Sequence, residues 1–124
     1  MINRLVLSHA VRSAVSNGEP IVALESTILT HGLPRPINYR VGVECERAVA
    51  RGGSVPATIF IRNGQIHIGA EAGELEELCD VSDAGKVSRR DFPGILARGG
   101  WGGTTVAGTL IAAHLAGIPL MVRV

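Results

Sequence analysis

At 124 residues with a formal net charge of +1, the chain has the length of a single domain able to bury roughly two-thirds of its unfolded surface. Hydrophobic residues make up 46% and charged residues 19%, a balance that excludes a disordered polymer and gives no electrostatic reason to bind a nucleic acid polymer or an anionic membrane. Aromatics are only 3%, which removes the platforms that base stacking needs and leaves the core to Val, Leu, Ile and Ala.

The N-terminal stretch from Met1 to Gly18 has no acidic residue and carries Arg4, Arg12 and several serines. Two readings fit it. The composition is loosely like a mitochondrial transit peptide, but an ordinary first helix is the preferred reading, with Leu5, Val11 and Val15 on an apolar side and Gly18 as its stop. No apolar run approaches the ~20 residues that span a bilayer. Cys45 and Cys79 lie far apart without metal-ligand spacing, so two buried free thiols in a reducing cytoplasm are expected.

Ile21 to Leu24 form a short apolar run that predicts a buried strand of a parallel sheet. Glu25 follows it directly. A carboxylate in that position needs an explanation, because burying a charge is costly unless it is paired or becomes protonated. His31 to Asn38 hold Gly32, Pro34 and Pro36 and predict a loop. Asn38 then suits the N-cap of a helix with Val41, Cys45, Ala48 and Val49 on one face, stopped by Gly52 and Gly53. "VPATIFIRNGQIHIG" predicts two strands joined at Asn63-Gly64, a strong short hairpin signal. Glu71 to Cys79 predicts a short helix with Leu75, Leu78 and Cys79 inward and its glutamates solvated.

"KVSRRDFP" sets Lys86, Arg89 and Arg90 ahead of a helix start, with Pro93 in the first turn and Asp91 as N-cap. The cations form either an anion-binding arrangement or a solvated basic run. Lys86 is the only lysine, against eleven arginines. In "GGWGGTTVAGTLIAAHLAGIP", Thr104 and Thr105 suit the cap of a helix running to about Ala116, with Gly117 as its stop. The glycines before it either cradle phosphate through backbone N–H groups or make a tight packing loop. No Walker lysine and no Gly-x-Gly-x-x-Gly accompany them. His114, inside the apolar helix, reads as a structural histidine, and His9, His31 and His67 show no metal spacing. "IPLMVRV" predicts a last strand. Strands alternating with helices give an α/β fold whose site lies at strand carboxyl ends.

Four stretches, "VALESTILTHGLPRP", "GGSVPATIFIRNGQIHIG", "KVSRRDFPGILARG" and "GGTTVAGTLIAAHLAGI", together resemble the pseudouridine-5'-phosphate glycosidases, the indigoidine synthase A-like family. The resemblance runs in order over nearly the whole chain. It implies a three-layer α/β/α fold, here as the N-terminal portion over residues 1–124, and a cytoplasmic homotrimer using a divalent metal, usually manganese. It implies cleavage of the C–C glycosidic bond of pseudouridine 5'-phosphate to uracil and ribose 5-phosphate.

By matching position the resemblance gives Glu25 the role of proton donor, Lys86 a substrate-binding role and Val106 a substrate contact. The base carbon must be protonated as the C–C bond to uracil breaks, and a carboxylic acid whose burial favours its protonated form can supply that proton. Arg89, Arg90, Thr104 and Thr105 share these motifs without individual roles. The family's metal-binding aspartate and its Schiff-base lysine have no match here, so no metal ligand is assigned and the chain alone is expected to be inactive. An unpaired sheet edge or apolar face is expected as well. The competing expectation is a non-catalytic phosphometabolite-binding or subunit domain with the same half-fold.

Overall fold

The computed structural model describes residues 2–122. Among the described residues are seven strands and five α-helices: β1 (Leu5–Leu7), α1 (His9–Asn17), β2 (Ile21–Leu24), α2 (Ile37–Arg51), β3 (Val55–Arg62), β4 (Gln65–Ile68), α3 (Glu74–Asp80), β5 (Gly85–Val87), α4 (Phe92–Arg98), β6 (Trp101–Thr104), α5 (Val106–Ala116) and β7 (Leu120–Val122). They join in one mixed sheet of order β1-β4-β3-β2-β7, with β6 also paired to β3 and β5 paired to β6.

The centre is β3, whose apolar run is buried on both faces as a strand covered by helices must be. Alternation sends Ala57, Ile59 and Ile61 to one face and Phe60 to the other. The first face packs with Val11 of α1, Phe92, Ile95 and Leu96 of α4, and Ala112 and Ala113 of α5. The second packs with Leu75, Leu78 and Cys79 of α3, Leu29 of the π-helical turn Ile28–Gly32, and Tyr39 and Val43 of α2. Helices therefore cover both faces of the sheet, giving the expected α/β/α layering. Among the described residues no helix is long and apolar enough to cross a membrane.

The hairpin and the end of α5 fall where the sequence places them, whereas α3 starts at Glu74 and not Glu71, and Glu74 is largely buried and paired with Arg62 instead of solvated. Asn63 and Gly64 both take positive φ, 51° and 76°, as the two-residue turn requires. Gly117, at φ 75°, closes α5, and its N–H donates to the Ala113 and His114 carbonyls. Both cysteines are free, Cys79 buried and Cys45 half-buried, and burial pushes the Cys79 thiol up to about 11.

Four local expectations are corrected. Leu5 belongs to β1, paired parallel to β4, and not to the first helix. That helix starts after Ser8, whose side chain accepts from the Val11 N–H, and Val15 lies on its outer side, 53% exposed. Asn38 is not an N-cap. It sits inside α2, 2% exposed, where its amide donates to the Leu29 and Cys79 carbonyls at 2.9 and 2.8 Å. Lastly, His114 is exposed on α5 and supports no core.

The inward face of α2 is the clearest departure. Ala48 is exposed, while Asn38 and Gly42 are the buried positions. Gly42 is small for a reason: a Cβ there would stand 3.2 Å from Leu29 Cδ2. One turn further along the same face, Glu46 accepts a 2.7 Å hydrogen bond from the Thr58 hydroxyl of β3. An amide, a glycine and a carboxylate thus occupy a packing face that hydrophobic periodicity assigns to other residues.

Burial raises the Glu46 carboxyl above its ordinary range, and the Thr58 hydrogen bond only partly opposes this. The folded state then holds the Glu46 proton more tightly than the unfolded chain. Its contribution to stability is complete below the ordinary carboxyl value and is lost as pH rises through the raised one. Glu46→Gln keeps an acceptor for Thr58 without the charge. Thermal unfolding followed by circular dichroism should give the variant the higher Tm at pH 7, with the gap closing towards pH 4.

Candidate active site

Along one edge of β3 the pairing changes partner. β2 runs parallel to its first half, ending at the register Leu24↔Thr58. β6 runs antiparallel to its second half, starting from Phe60↔Gly103. The two strands meet end to end, and the Ile59 carbonyl lies between them, facing a parallel ladder on one side and an antiparallel ladder on the other.

Two hydroxyls fill that gap. Ser26 Oγ donates to the Ile59 carbonyl at 2.6 Å and Thr104 Oγ1 donates to it at 3.0 Å. The Thr104 N–H donates to Ser26 Oγ at 2.8 Å, and the Ser26 N–H donates to the Thr104 carbonyl at 3.1 Å. Thr109 of α5 joins through its hydroxyl, 2.8 Å from Thr104 Oγ1. All three side chains are buried, with Ser26, Thr104 and Thr109 at 0% exposure.

The predicted site residues lie around this junction. Glu25 directly precedes Ser26 at the carboxyl end of β2 and is 8% exposed; it is more deeply buried than a strand-end position suggests. Val106, half-buried, opens α5 immediately after Thr105. Lys86 is exposed on β5, in register with Gly103 and one residue before Val87, which pairs with Thr104. The Thr105 N–H donates to the Val87 carbonyl at 3.0 Å. Three segments distant in sequence are therefore tied together, each with one candidate residue a single position from the tie.

The start of α5 is well capped. Thr105 Oγ1 accepts from the Gly108 N–H at 3.1 Å and lies 2.8 Å from Ser88 Oγ. Arg89 and Arg90 are exposed beside it, and an open cleft of about 500 Å³ is lined by Ser88, Arg89, Arg90, Pro93 and Ala107. Asp91 holds the N-cap position of α4, as expected, but its side chain makes no capping bond to that helix. Its carboxylate instead accepts from the Ser88 N–H at 2.9 Å, closing the short turn Arg89–Asp91.

Two glycines of the glycine-rich run serve packing. Gly102 and Gly103 are inside β6, paired with Ile61 and Phe60, so they form no loop for a phosphate. A Cβ on Gly103 would meet Thr30 Oγ1, and one on Gly102 would stand 2.8 Å from Val87 Cγ2. Glycine lets the strand fit beneath its neighbours. Trp101, at the start of the same strand, stacks on Phe60 at 6.0 Å and carries the Arg62 guanidinium 4.6 Å from its ring centre.

Among the described residues no group of three or more His, Cys, Asp or Glu side chains could hold a metal ion. The residues present thus do not fit the manganese that the resemblance implies. Sequence reasoning also missed Ser26 and Thr109 as structural hydroxyls. The signal was there in one case: a serine two residues past an apolar strand end faces the sheet interior, whereas Thr109 has no mark in the helix pattern.

Comparison with known proteins adds to this geometry. The profile of the family described as indigoidine synthase A like protein matches residues 10–123. The chain belongs to that family. It is 47% identical over 116 residues to a pseudouridine-5'-phosphate glycosidase of Mycoplasmopsis agalactiae, covering 94% of this chain and 38% of the relative. A glycosidase of the same description from Geobacillus kaustophilus is 51% identical over 114 residues, covering 92% and 38%. Among solved family structures, the prealnumycin C-glycosynthase AlnA in complex with ribulose 5-phosphate superposes with a TM-score of 0.82 at 37% identity, covering 94% of this chain and 37% of that one. An indigoidine synthase A-like protein from Thermotoga maritima superposes at 0.77 with 32% identity, covering 84% and 35%. The chain spans about two-fifths of the length of the family relatives it matches.

One glycine tests the junction directly. A Cβ on Gly108 would stand 2.4 Å from the Val87 carbonyl oxygen, a backbone atom that the β5–β6 pairing holds in place. Gly→Ala in a helix ordinarily gains about 1 kcal/mol, whereas overpacking costs about 1–3 kcal/mol. The overlap should win, so Gly108→Ala should lower the denaturant midpoint in urea titration.

Proposed function

We propose that this chain supplies the proton-donor half of a pseudouridine-5'-phosphate glycosidase site. In this reading the enzyme cleaves the C–C bond of pseudouridine 5'-phosphate to uracil and ribose 5-phosphate. The observation that carries it is Glu25: a carboxyl group 8% exposed, at a strand carboxyl end beside the start of α5, in a chain 44–51% identical to relatives bearing that enzyme's name. A solved relative holding ribulose 5-phosphate supports a pentose phosphate as the ligand class.

Glu25 delivers the proton to the uracil carbon as the bond breaks, since a carbanion leaving group otherwise has no stable form. Lys86, exposed and the only lysine of the chain, holds the sugar phosphate through a charge-assisted hydrogen bond. Val106, at the head of α5, contributes a substrate contact in this reading. The cytoplasmic location, the homotrimer and the manganese ion are further parts of this reading that rest on the family resemblance. The described residues offer the metal no ligand set, and no step assigned to Glu25, Lys86 or Val106 passes through it.

Two substitutions separate the roles in a form of this chain joined to the rest of the family domain. Glu25→Gln preserves shape but has no carboxyl proton to give, so uracil release should stop while affinity for substrate stays within a few-fold. Ongoing turnover at the wild-type rate would remove Glu25 from the mechanism. Lys86→Ala should weaken ribose 5-phosphate binding, measured by calorimetry, by about 1.5–3 kcal/mol, and unchanged affinity would remove Lys86.

The 124 residues by themselves, incubated with pseudouridine 5'-phosphate and manganese, should release no uracil above a protein-free control. Lys86 is the only amine side chain available to hold an opened sugar as an imine, and this reading already commits it to the phosphate. Uracil release accompanied by a borohydride-trapped Lys86 adduct would contradict that assignment.

A further inference from the structure

We propose that the hydroxyl chain Thr109–Thr104–Ser26 is the positioning device that fixes Glu25 against the head of α5. The inference rests on the reading of Glu25 as proton donor and extends it to residues that reach no substrate. Ser26, Thr104 and Thr109 are all 0% exposed, so each acts through others and is a positioning residue.

The hydroxyls of this chain form one contiguous set of contacts, with Ser26 Oγ also 3.3 Å from Thr104 Oγ1. A hydroxyl has one proton to donate and two lone pairs with which to accept. Ser26 and Thr104 each give theirs to the Ile59 carbonyl, whose two lone pairs are then both occupied. When its proton goes to Ile59, Thr104 accepts from Thr109, 2.8 Å away. Ser26 in turn accepts from the Thr104 N–H. The chain therefore links α5 through β6 to the Ile59 carbonyl, and Ser26 closes it from β2. Ordered hydroxyl chains of this kind polarise one another and hold their geometry more firmly than separate bonds.

Glu25 is covalently attached to the Ser26 end, and Val106 lies on α5 three residues before Thr109. Any slack in the chain moves the carboxyl relative to the helix head. A misplacement of about 1 Å at a reacting group costs about 100-fold in rate, which a buried hydroxyl can impose without touching the substrate.

Thr104→Val and Thr104→Ser test this in the form joined to the rest of the family domain. Valine keeps the shape and loses the hydroxyl; serine keeps the hydroxyl and loses a methyl. The expected result is a kcat about 10–100-fold lower for Thr104→Val, a KM within about threefold of wild type, and a kcat for Thr104→Ser close to wild type. Amide exchange in the same samples should be faster at Ser26 in Thr104→Val, with Ile61 and Ile66 as protected as before. Should Thr104→Val fail to accumulate folded, Thr109→Val carries the test alone, with a smaller kcat loss in the same sense.

A valine variant turning over within twofold of wild type overturns the proposal, and so does a serine variant as slow as the valine one. Failure of the underlying reading looks different. Glu25→Gln would then turn over normally, while the exchange at Ser26 would still separate the valine variant from the serine one.

Discussion

The Ile59 carbonyl is the constraint around which this fold is arranged. A backbone acceptor buried at the centre of the sheet must be satisfied, or its desolvation costs about 1–3 kcal/mol. Strand pairing leaves it between two ladders, because β2 approaches β3 parallel and β6 approaches it antiparallel on the same edge. Ser26 and Thr104 satisfy it with side chains. In doing so they bring the carboxyl end of β2 against the carboxyl end of β6.

That meeting creates the candidate site. Residues following strand carboxyl ends are free to face a common cleft, while the strands behind them are held by their ladders. Glu25 comes from one strand end and the head of α5 from the other, and β5 adds Lys86 through its pairing with β6. The close approach of α5 to β5 depends on Gly108, and the fit of β6 beneath Thr30 depends on Gly103. At these two positions glycine contributes space.

Much of this was legible in the sequence, and the parts that were not share a physical cause. The strand at Ile21–Leu24, the Asn63-Gly64 turn, the α3 core residues and the Gly117 stop all follow from local periodicity or turn chemistry. What periodicity misses is decided by tertiary neighbours. "WGGT" pairs as a strand because Ile61 and Phe60 offer it an edge, whereas its glycines by themselves suggest a loop. Asn38 and Glu46 occupy an inward face because Leu29, Cys79 and Thr58 give them hydrogen bonds. At the site, motif resemblance singled out Glu25, Lys86 and Val106, yet it carried no sign that buried hydroxyls tie their segments together. The arginines of "KVSRRD" sit at the cleft beside α5, and their part in any ligand contact was not readable from the run of charges.

In the proposed enzyme one junction gathers Glu25, Lys86 and Val106 around a pentose phosphate. A crystal structure with ribose 5-phosphate bound, using this chain joined to the rest of its family domain, tests it most directly. The phosphosugar should lie within hydrogen-bond reach of Lys86, beside Val106, with the Glu25 carboxyl facing the anomeric carbon. A sugar held elsewhere, with Glu25 turned away from its anomeric carbon, would contradict it.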